Sequence, residues 1–454
     1  MSGAQYDFHV GITRDVDDRF INLKDLVNFN MGVFGQSGSG KTYTLRRIIQ
    51  ALHRANVTTV VIDTQGDMKY GAHYDAVGPG DFAHFQFAYH GANTCLSPLE
   101  IDTLSDSGGY YPAIQRAIKA VEYFHPALGY RQRGVLESML EETYTRFGIL
   151  RDKPETWTRE PPALSDVVDT IDLKLKELYT GLSEDILTKC FKLRREVAAL
   201  SGKIDLMDEV IGSEDAAGRQ EAELEMTGAQ YDALKNRLED KIAALSNEAG
   251  KYVEAEARRG VGNAPSGKTR EWLELVRMTI KDMLNTSLFT GANGFHPIEG
   301  KINVVDIRGL SDNHQQTVVY LLLGQVFKDG IATCRQLNAG VPRLVAVLDE
   351  AKIYKAVCED SMSPFPRIVT EGRKFGLGAL LGAQTSSQVS KEILSNIAVQ
   401  FVLSMPSNEL PAVKRVFGIN EKQMTALIPK SDGCLSVNSS EYEHVHLWQW
   451  DPPR

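Results

Sequence analysis

The eight residues Gly35-Gln36-Ser37-Gly38-Ser39-Gly40-Lys41-Thr42 follow the apolar run Met31–Phe34 and precede a stretch with helical spacing. From Tyr43 to His53 the apolar positions Leu45, Ile48, Ile49 and Leu52 recur at helical intervals. A segment of the form G-x-x-x-x-G-K-[ST] between a strand and a helix is a phosphate-binding loop. Its glycines permit backbone angles that aim successive N–H groups at phosphate oxygens, and the helix N-terminus adds positive potential. On this reading Gly35, Gln36, Ser37, Gly38, Ser39 and Gly40 form the cradle and Tyr43 adjoins it. Lys41 offsets the β- and γ-phosphate charge, and the Thr42 hydroxyl holds Mg²⁺. The chain is therefore expected to bind a nucleoside triphosphate.

A second stretch, Gly262-Asn263-Ala264-Pro265-Ser266-Gly267-Lys268-Thr269, satisfies the same pattern. It follows the charged run Glu254–Arg259 instead of an apolar strand, and Pro265 removes a backbone donor where a cradle must curve. It reads as a solvated loop ahead of a helix that starts near Glu271.

The 454 residues can hold more than one core, so one elaborated domain and two domains both remain open. No apolar run is as long as a membrane span, and Met1–Tyr6 lacks a basic-then-apolar signal segment. A cytoplasmic protein with no membrane partner is expected. The cysteines Cys95, Cys190, Cys334, Cys358 and Cys434 are odd in number and never in C-x-x-C spacing, which points to reduced, mostly buried thiols. A net charge of −9 argues against a broadly basic surface that coats nucleic acid. It leaves room for a ring whose few basic loop residues meet DNA in a central channel.

Two α/β blocks flank a long helical middle. Residues 1–100 hold the phosphate loop, preceded by a short β segment, and a second strand, Thr58–Ile62, that ends in Asp63-Thr64-Gln65-Gly66-Asp67. Residues 301–454 offer apolar strand candidates at Ile302–Ile307, Leu344–Leu348, Ala379–Ala383 and Gln400–Leu403. Short apolar runs separated by helical patterns indicate a parallel sheet covered on both faces. If both blocks build one sheet, residues 101–300 are an insertion. Within it Cys190, Leu193, Val197, Leu200, Ile204, Met207 and Ile211 form a coiled-coil seam. After the polar break Gly212–Gly218, a looser seam runs through Leu224, Tyr231, Leu234, Leu238, Ile242 and Leu245. An antiparallel helical hairpin over about 185–258 accounts for both seams. It is either an arm that docks a partner or an insertion that packs on its own domain.

The run Leu344–Leu348 ends in Asp349 and Glu350, the shape of a Walker B element. Beside a phosphate loop, Asp349 is expected in the Mg²⁺ shell with Thr42, and Glu350 is expected to orient or deprotonate the attacking water. The bland alternative is an acidic helix N-cap. Gln384 follows the strand Ala379–Ala383 and is placed to sense a γ-phosphate, while Arg373 is a candidate arginine finger. Taken alone, each of these two is equally a surface or capping group.

Together these residues resemble the HerA branch of the HerA/FtsK superfamily of hexameric DNA-translocating ATPases. The likeness rests on Gly35–Thr42, Ile62–Asp67, Ile302–Leu310, Val347–Ala351, Gln384-Thr385 and Leu427-Ile428-Pro429 ahead of Gly433-Cys434-Leu435. Its most specific element is Glu371-Gly372-Arg373-Lys374-Phe375-Gly376, and it covers about half the chain. The resemblance implies a RecA-like core with a helical insertion, a homohexameric ring with ATP and Mg²⁺ between neighbours, and double-stranded DNA threaded through the channel. It implies that Asp63 lies near the nucleotide and that Arg373 reaches into the neighbouring subunit's site. It also implies a separate partner, such as a NurA-type nuclease or an anti-phage defence effector. Thr64-Gln65-Gly66-Asp67 departs from the Pro-His-Gly-Glu usual in the family.

The expected function is an ATP-hydrolysing ring motor that moves double-stranded DNA or activates a partner that cuts it. One alternative is a nucleotide-gated scaffold ring that organises an effector enzyme. Another is a secretion or conjugation ATPase. Lys352, Lys355 and Arg367 are candidate channel residues, or simply solvated charges. His444 and His446 alternate on what reads as a final strand, which puts both on one face of a sheet and by itself marks no metal site.

Overall fold

The apolar runs of the two flanking blocks meet in a single sheet. The computed structural model describes residues 6–13, 15–71, 74, 77–101, 109–180, 192–201, 232–247, 250, 267–290, 294–334, 340–351, 354–360 and 363–447. Its strands are β1 (Asp7–Thr13), β2 (Asp18–Asn22), β3 (Met31–Phe34), β4 (Thr58–Asp63), β5 (Phe82–Gln86), β6 (Ile302–Asp306), β7 (Leu344–Leu348), β8 (Leu377–Ala383), β9 (Val399–Val402), β10 (Asp432–Val437) and β11 (Glu443–Leu447). They form one eleven-stranded sheet in the order β2-β1-β11-β10-β9-β3-β8-β7-β4-β6-β5. From β9 to β5 every neighbouring pair is parallel. The fold is thus the mixed α/β, parallel-rich core that the sequence anticipates.

β3, β4, β6, β7 and β8 are buried at every position, which explains their unbroken apolar runs. β1, β2 and β11 correspond to the short β segment and the final strand expected from the sequence, whereas their antiparallel joining through β10 was not anticipated. It begins with a tight turn in which Asn438 (φ 52°) and Ser439 (φ 62°) are both left-handed, and Ser440 N–H donates to the Val437 carbonyl at 3.0 Å. Two successive positive φ values match the right-handed twist of the strands they join, so the chain reverses within the sheet.

Helix α1 (Lys41–Arg54) lays Leu45, Ile48, Ile49 and Leu52 into a core that includes Val33, Val61, Val345 and Val347. Burying each such side chain contributes about 1.5–3 kcal/mol. Elsewhere α2 (Tyr110–Phe124) packs on the helix Asp312–Cys334, whose Val318, Val319, Leu322 and Val326 are fully buried. Cys95, Cys358 and Cys434 are buried free thiols. Among the described residues no helix is long and apolar enough to cross a membrane.

The chain divides into two units, one of Met1–Leu128 with Asp282–Arg454 and one of Gly129–Lys281. In the second, α3 (Tyr130–Arg146) packs on α4 (Leu164–Thr180), where Thr143 Oγ1 and Thr170 Oγ1 are 3.0 Å apart. Residues 192–201 and 232–247 are helical, and Lys241 pairs with Glu196 across them. The remainder of the expected hairpin, including Gly212–Gly218, lies outside the described residues, as do residues 262–266 of the second glycine-rich stretch. Gly267, Lys268 and Thr269 form the first turn of the helix Gly267–Leu284, which therefore starts earlier than Glu271.

Candidate active site

Parallel register gathers the site at one edge of the sheet. Phe34 stands beside Ala383, Leu348 beside Leu381, and Ile62 beside Leu348. The residues that follow β3, β4, β7 and β8 therefore emerge together at the carboxyl ends of the strands, where ligands of open α/β sheets bind. A cavity of about 510 Å³ lies there, lined by Ser37, Gly38, Gly40, Lys41, Thr42, Tyr43, Gln65, Asp349, Glu350, Gln384 and Lys430.

The start of the phosphate loop is pinned by backbone bonds to neighbouring segments. Gly35 N–H donates to the Ala383 carbonyl at 3.1 Å, and Gln36 N–H donates to the Ser404 carbonyl at 3.0 Å. Gly38 (φ 79°) and Gly40 (φ 105°) are left-handed, a conformation that turns the chain into α1 at no steric cost to glycine. Lys41 Nζ donates to the Gln36 carbonyl at 3.2 Å across the loop. Burial lowers the Lys41 pKa, against the pull of Glu350 and Asp349.

Asp349 and Glu350 leave β7 side by side but have different surroundings. Burial, reinforced by Asp67, Glu350 and Asp63 and opposed by Lys41, pushes the Asp349 carboxyl up to about 7. The turn that carries them passes so close to β8 that a Cβ on Gly382 would lie 2.2 Å from the Asp349 carbonyl oxygen. Glu350 is clasped by two amides. Gln65 Nε2 donates to Oε2 at 3.1 Å, and Gln384 Nε2 donates to Oε1.

Asp63 is buried and faces its own loop, accepting from the N–H groups of Gln65 (3.1 Å), Gly66 (2.6 Å) and Met68 (3.2 Å). It thereby shapes the turn that presents Gln65. Asp67 lies 3.6 Å from Arg46 of α1, and burial raises its pKa. Arg373 is exposed in the turn Gly372–Phe375 that enters β8, whereas Gln384 follows the end of that strand. Seven strand residues at about 3.3 Å each separate Arg373 by roughly 20 Å from this chain's own cavity.

Two lining residues carried no role in the sequence. Gln65 belongs to the Thr-Gln-Gly-Asp turn that departs from the family pattern. Lys430 adopts φ 67°, and its N–H donates to the Ser39 carbonyl at 3.0 Å, so the turn before β10 leans on the phosphate loop. Among the channel candidates, Lys355 pairs with Glu359 at 3.7 Å and Arg367 lies over the Phe327 ring at 4.6 Å. Lys352 lies outside the described residues.

The chain is similar to known proteins in sequence and in fold. The family model described as the central domain of helicase HerA matches residues 8–326. The DNA double-strand break repair helicase HerA of Saccharolobus solfataricus is 28% identical over 109 residues, which are 23% of this chain and 22% of that protein. The match thus spans about a fifth of that relative. The structure of VirB4 of Thermoanaerobacter pseudethanolicus is similar with a TM-score of 0.58 at 13% identity, covering 98% of this chain and 96% of that one.

Proposed function

Because the chain belongs to the helicase HerA central-domain family and has the fold of a P-loop ATPase, we propose that it is an ATP-hydrolysing motor acting on DNA. The observation that carries this reading is the Glu350 carboxylate, held by Gln65 and Gln384 within the cavity that the phosphate loop lines. A carboxylate fixed by amides is oriented without being neutralised, as a base for water must be.

In the proposed reaction, backbone N–H groups of Gly35–Thr42 and the Lys41 ammonium hold the phosphates. A water attacks the γ-phosphorus opposite the departing ADP oxygen, and Glu350 orients it and accepts its proton. Gln384, bonded to Glu350, would report the γ-phosphate, and Tyr43, which lines the cavity, would border the nucleotide from α1. Mg²⁺, when bound, would neutralise charge on the phosphate oxygens. The donor set suits it, because Asp349 lies among Asp67, Glu350 and Asp63 with Lys41 as the counter-charge, an excess of carboxylate that a divalent cation relieves. Thr42 and Asp349 would hold it.

The distance of Arg373 from its own chain's cavity supports a role in a neighbour's site, and hence a ring, which we propose is a homohexamer around double-stranded DNA. The middle of the chain would then be a helical insertion into the ATPase core, available to a nuclease or defence effector. ATP hydrolysis by the purified chain, with and without double-stranded DNA, tests the reading beside Glu350→Gln and oligomer mass on the same samples. Hydrolysis that rises with DNA and falls about 10²–10⁴-fold in the variant is expected. A ring that hydrolyses slowly and ignores DNA would instead indicate a partner-gated scaffold.

A further inference from the structure

The hairpin β10–β11 carries a second chemical cluster. Asp432 stands opposite His446 in the antiparallel ladder, and His444 lies two residues back on β11. All three side chains leave the same face of the sheet. His446 Nδ1 lies 2.8 Å from Asp432 Oδ1, and His444 Nε2 lies 3.5 Å from Asp432 Oδ2. One ligand atom from each residue falls within 4.8 Å of the other two.

We infer that Asp432, His444 and His446 form a binding site for one divalent transition-metal ion of the zinc class. Two imidazoles and a carboxylate are a borderline donor set that suits zinc and its neighbours over magnesium or calcium. Ligand atoms around tetrahedral zinc, with bonds of about 2.0–2.1 Å, lie about 3.4 Å apart. The three ligand atoms, one from each residue, lie within 4.8 Å of one another, so the side chains must draw together to that spacing to admit the ion.

Two further features favour a cation here. The Asp432 carboxylate is aimed from behind by Ile428 N–H, which donates to Oδ2 at 3.1 Å, the outer-sphere support that orients a ligating carboxylate. His444 borders a cavity of about 440 Å³ also lined by Asp15, Asp17, Asp18 and Glu443 against Arg19, an excess of acid that gives a negative approach to the site. Three protein ligands leave one position for water. The ion would tie β11 to the turn Ile428–Asp432, and this turn carries Lys430 against the phosphate loop.

The test uses the full chain stripped of metal and titrated with Zn²⁺ against a chromophoric chelator, and with Co²⁺ followed by visible absorbance. One ion per chain is expected, with the intense Co²⁺ band of four-coordinate geometry and a melting temperature that rises with Zn²⁺. His446→Ala and His444→Ala should each lower Zn²⁺ affinity at least about tenfold. His446 is half exposed, so its variant should fold, and circular dichroism checks this. Two outcomes overturn the inference. One is no saturable binding by the wild-type chain. The other is binding equally strong in both histidine variants, which would assign the ion to the nucleotide pocket or elsewhere.

Discussion

Glu350 takes its aim from Gln65 and Gln384, which lie on turns after two different strands. Removing either amide should leave nucleotide binding intact and disturb only the base. Gln65→Ala and Gln384→Ala are each expected to lower kcat about 10- to 100-fold with little change in nucleotide Kd. Equal losses in Kd and kcat would show that these amides bind nucleotide. Asp349 makes a prediction of opposite sign to that of an ion-paired carboxylate. Its folded pKa of about 7 lies above the ordinary value of 3.8, so its stabilising share is full below pH 4 and is lost as pH rises through 7. The nucleotide-free chain should therefore lose roughly 1–4 kcal/mol between pH 5 and 8 from this group. Asp349→Asn should flatten that part of the profile in denaturant melts. The acid pair after an apolar strand was readable because its members are adjacent in sequence. Gln65 and Lys430 were not, since the parallel pairing of β4 brings the first turn to the phosphate loop and the antiparallel pairing of β10 with β9 brings the second.

At the scale of elements, two close approaches hold the site's geometry. A methyl group on Gly382 would meet the backbone carbonyl of Asp349, which no side-chain rotation relieves. Gly382→Ala is expected to cost roughly 2–4 kcal/mol and several degrees of melting temperature, read by calorimetry. The turn at Lys430 behaves differently. Its left-handed backbone is disfavoured for lysine, and the bond to Ser39 uses only the backbone N–H. Lys430→Gly should stabilise by up to about 1 kcal/mol while weakening nucleotide affinity if the ammonium meets phosphate. Lys430→Pro should destabilise, because its φ is incompatible and the N–H is lost. The inner strands were legible because β3, β4, β7 and β8 are buried on both faces and read as plain apolar runs. β1, β2 and β11 were less so, since their exposed or half-buried positions break the apolar pattern, and β10 is broken by the buried polar residues Asp432 and Ser436. Their pairing depends on the turn at Asn438-Ser439.

For the whole molecule, the separation of Arg373 from its own cavity yields a test that no single-chain experiment provides. If each site joins Glu350 of one subunit to Arg373 of the next, Glu350→Gln and Arg373→Ala chains should be inactive alone. Mixed, they should recover part of the activity, because some interfaces then pair two intact residues. A mixture as inactive as its parts would mean that Arg373 does not complete the site of a neighbour. Sequence patterns indicated two α/β blocks, but whether they share one sheet was open until β4 was found between β6 and β7. That arrangement also bears on how the protein is made. β4 leaves the ribosome more than two hundred residues before either strand that flanks it. At about 5–20 residues per second, the interval is tens of seconds. β3 waits longer still, for β8 and β9. Throughout synthesis of the middle segment, the first block holds two apolar strands with no sheet to join, so the nascent chain should depend on chaperones until its last quarter emerges.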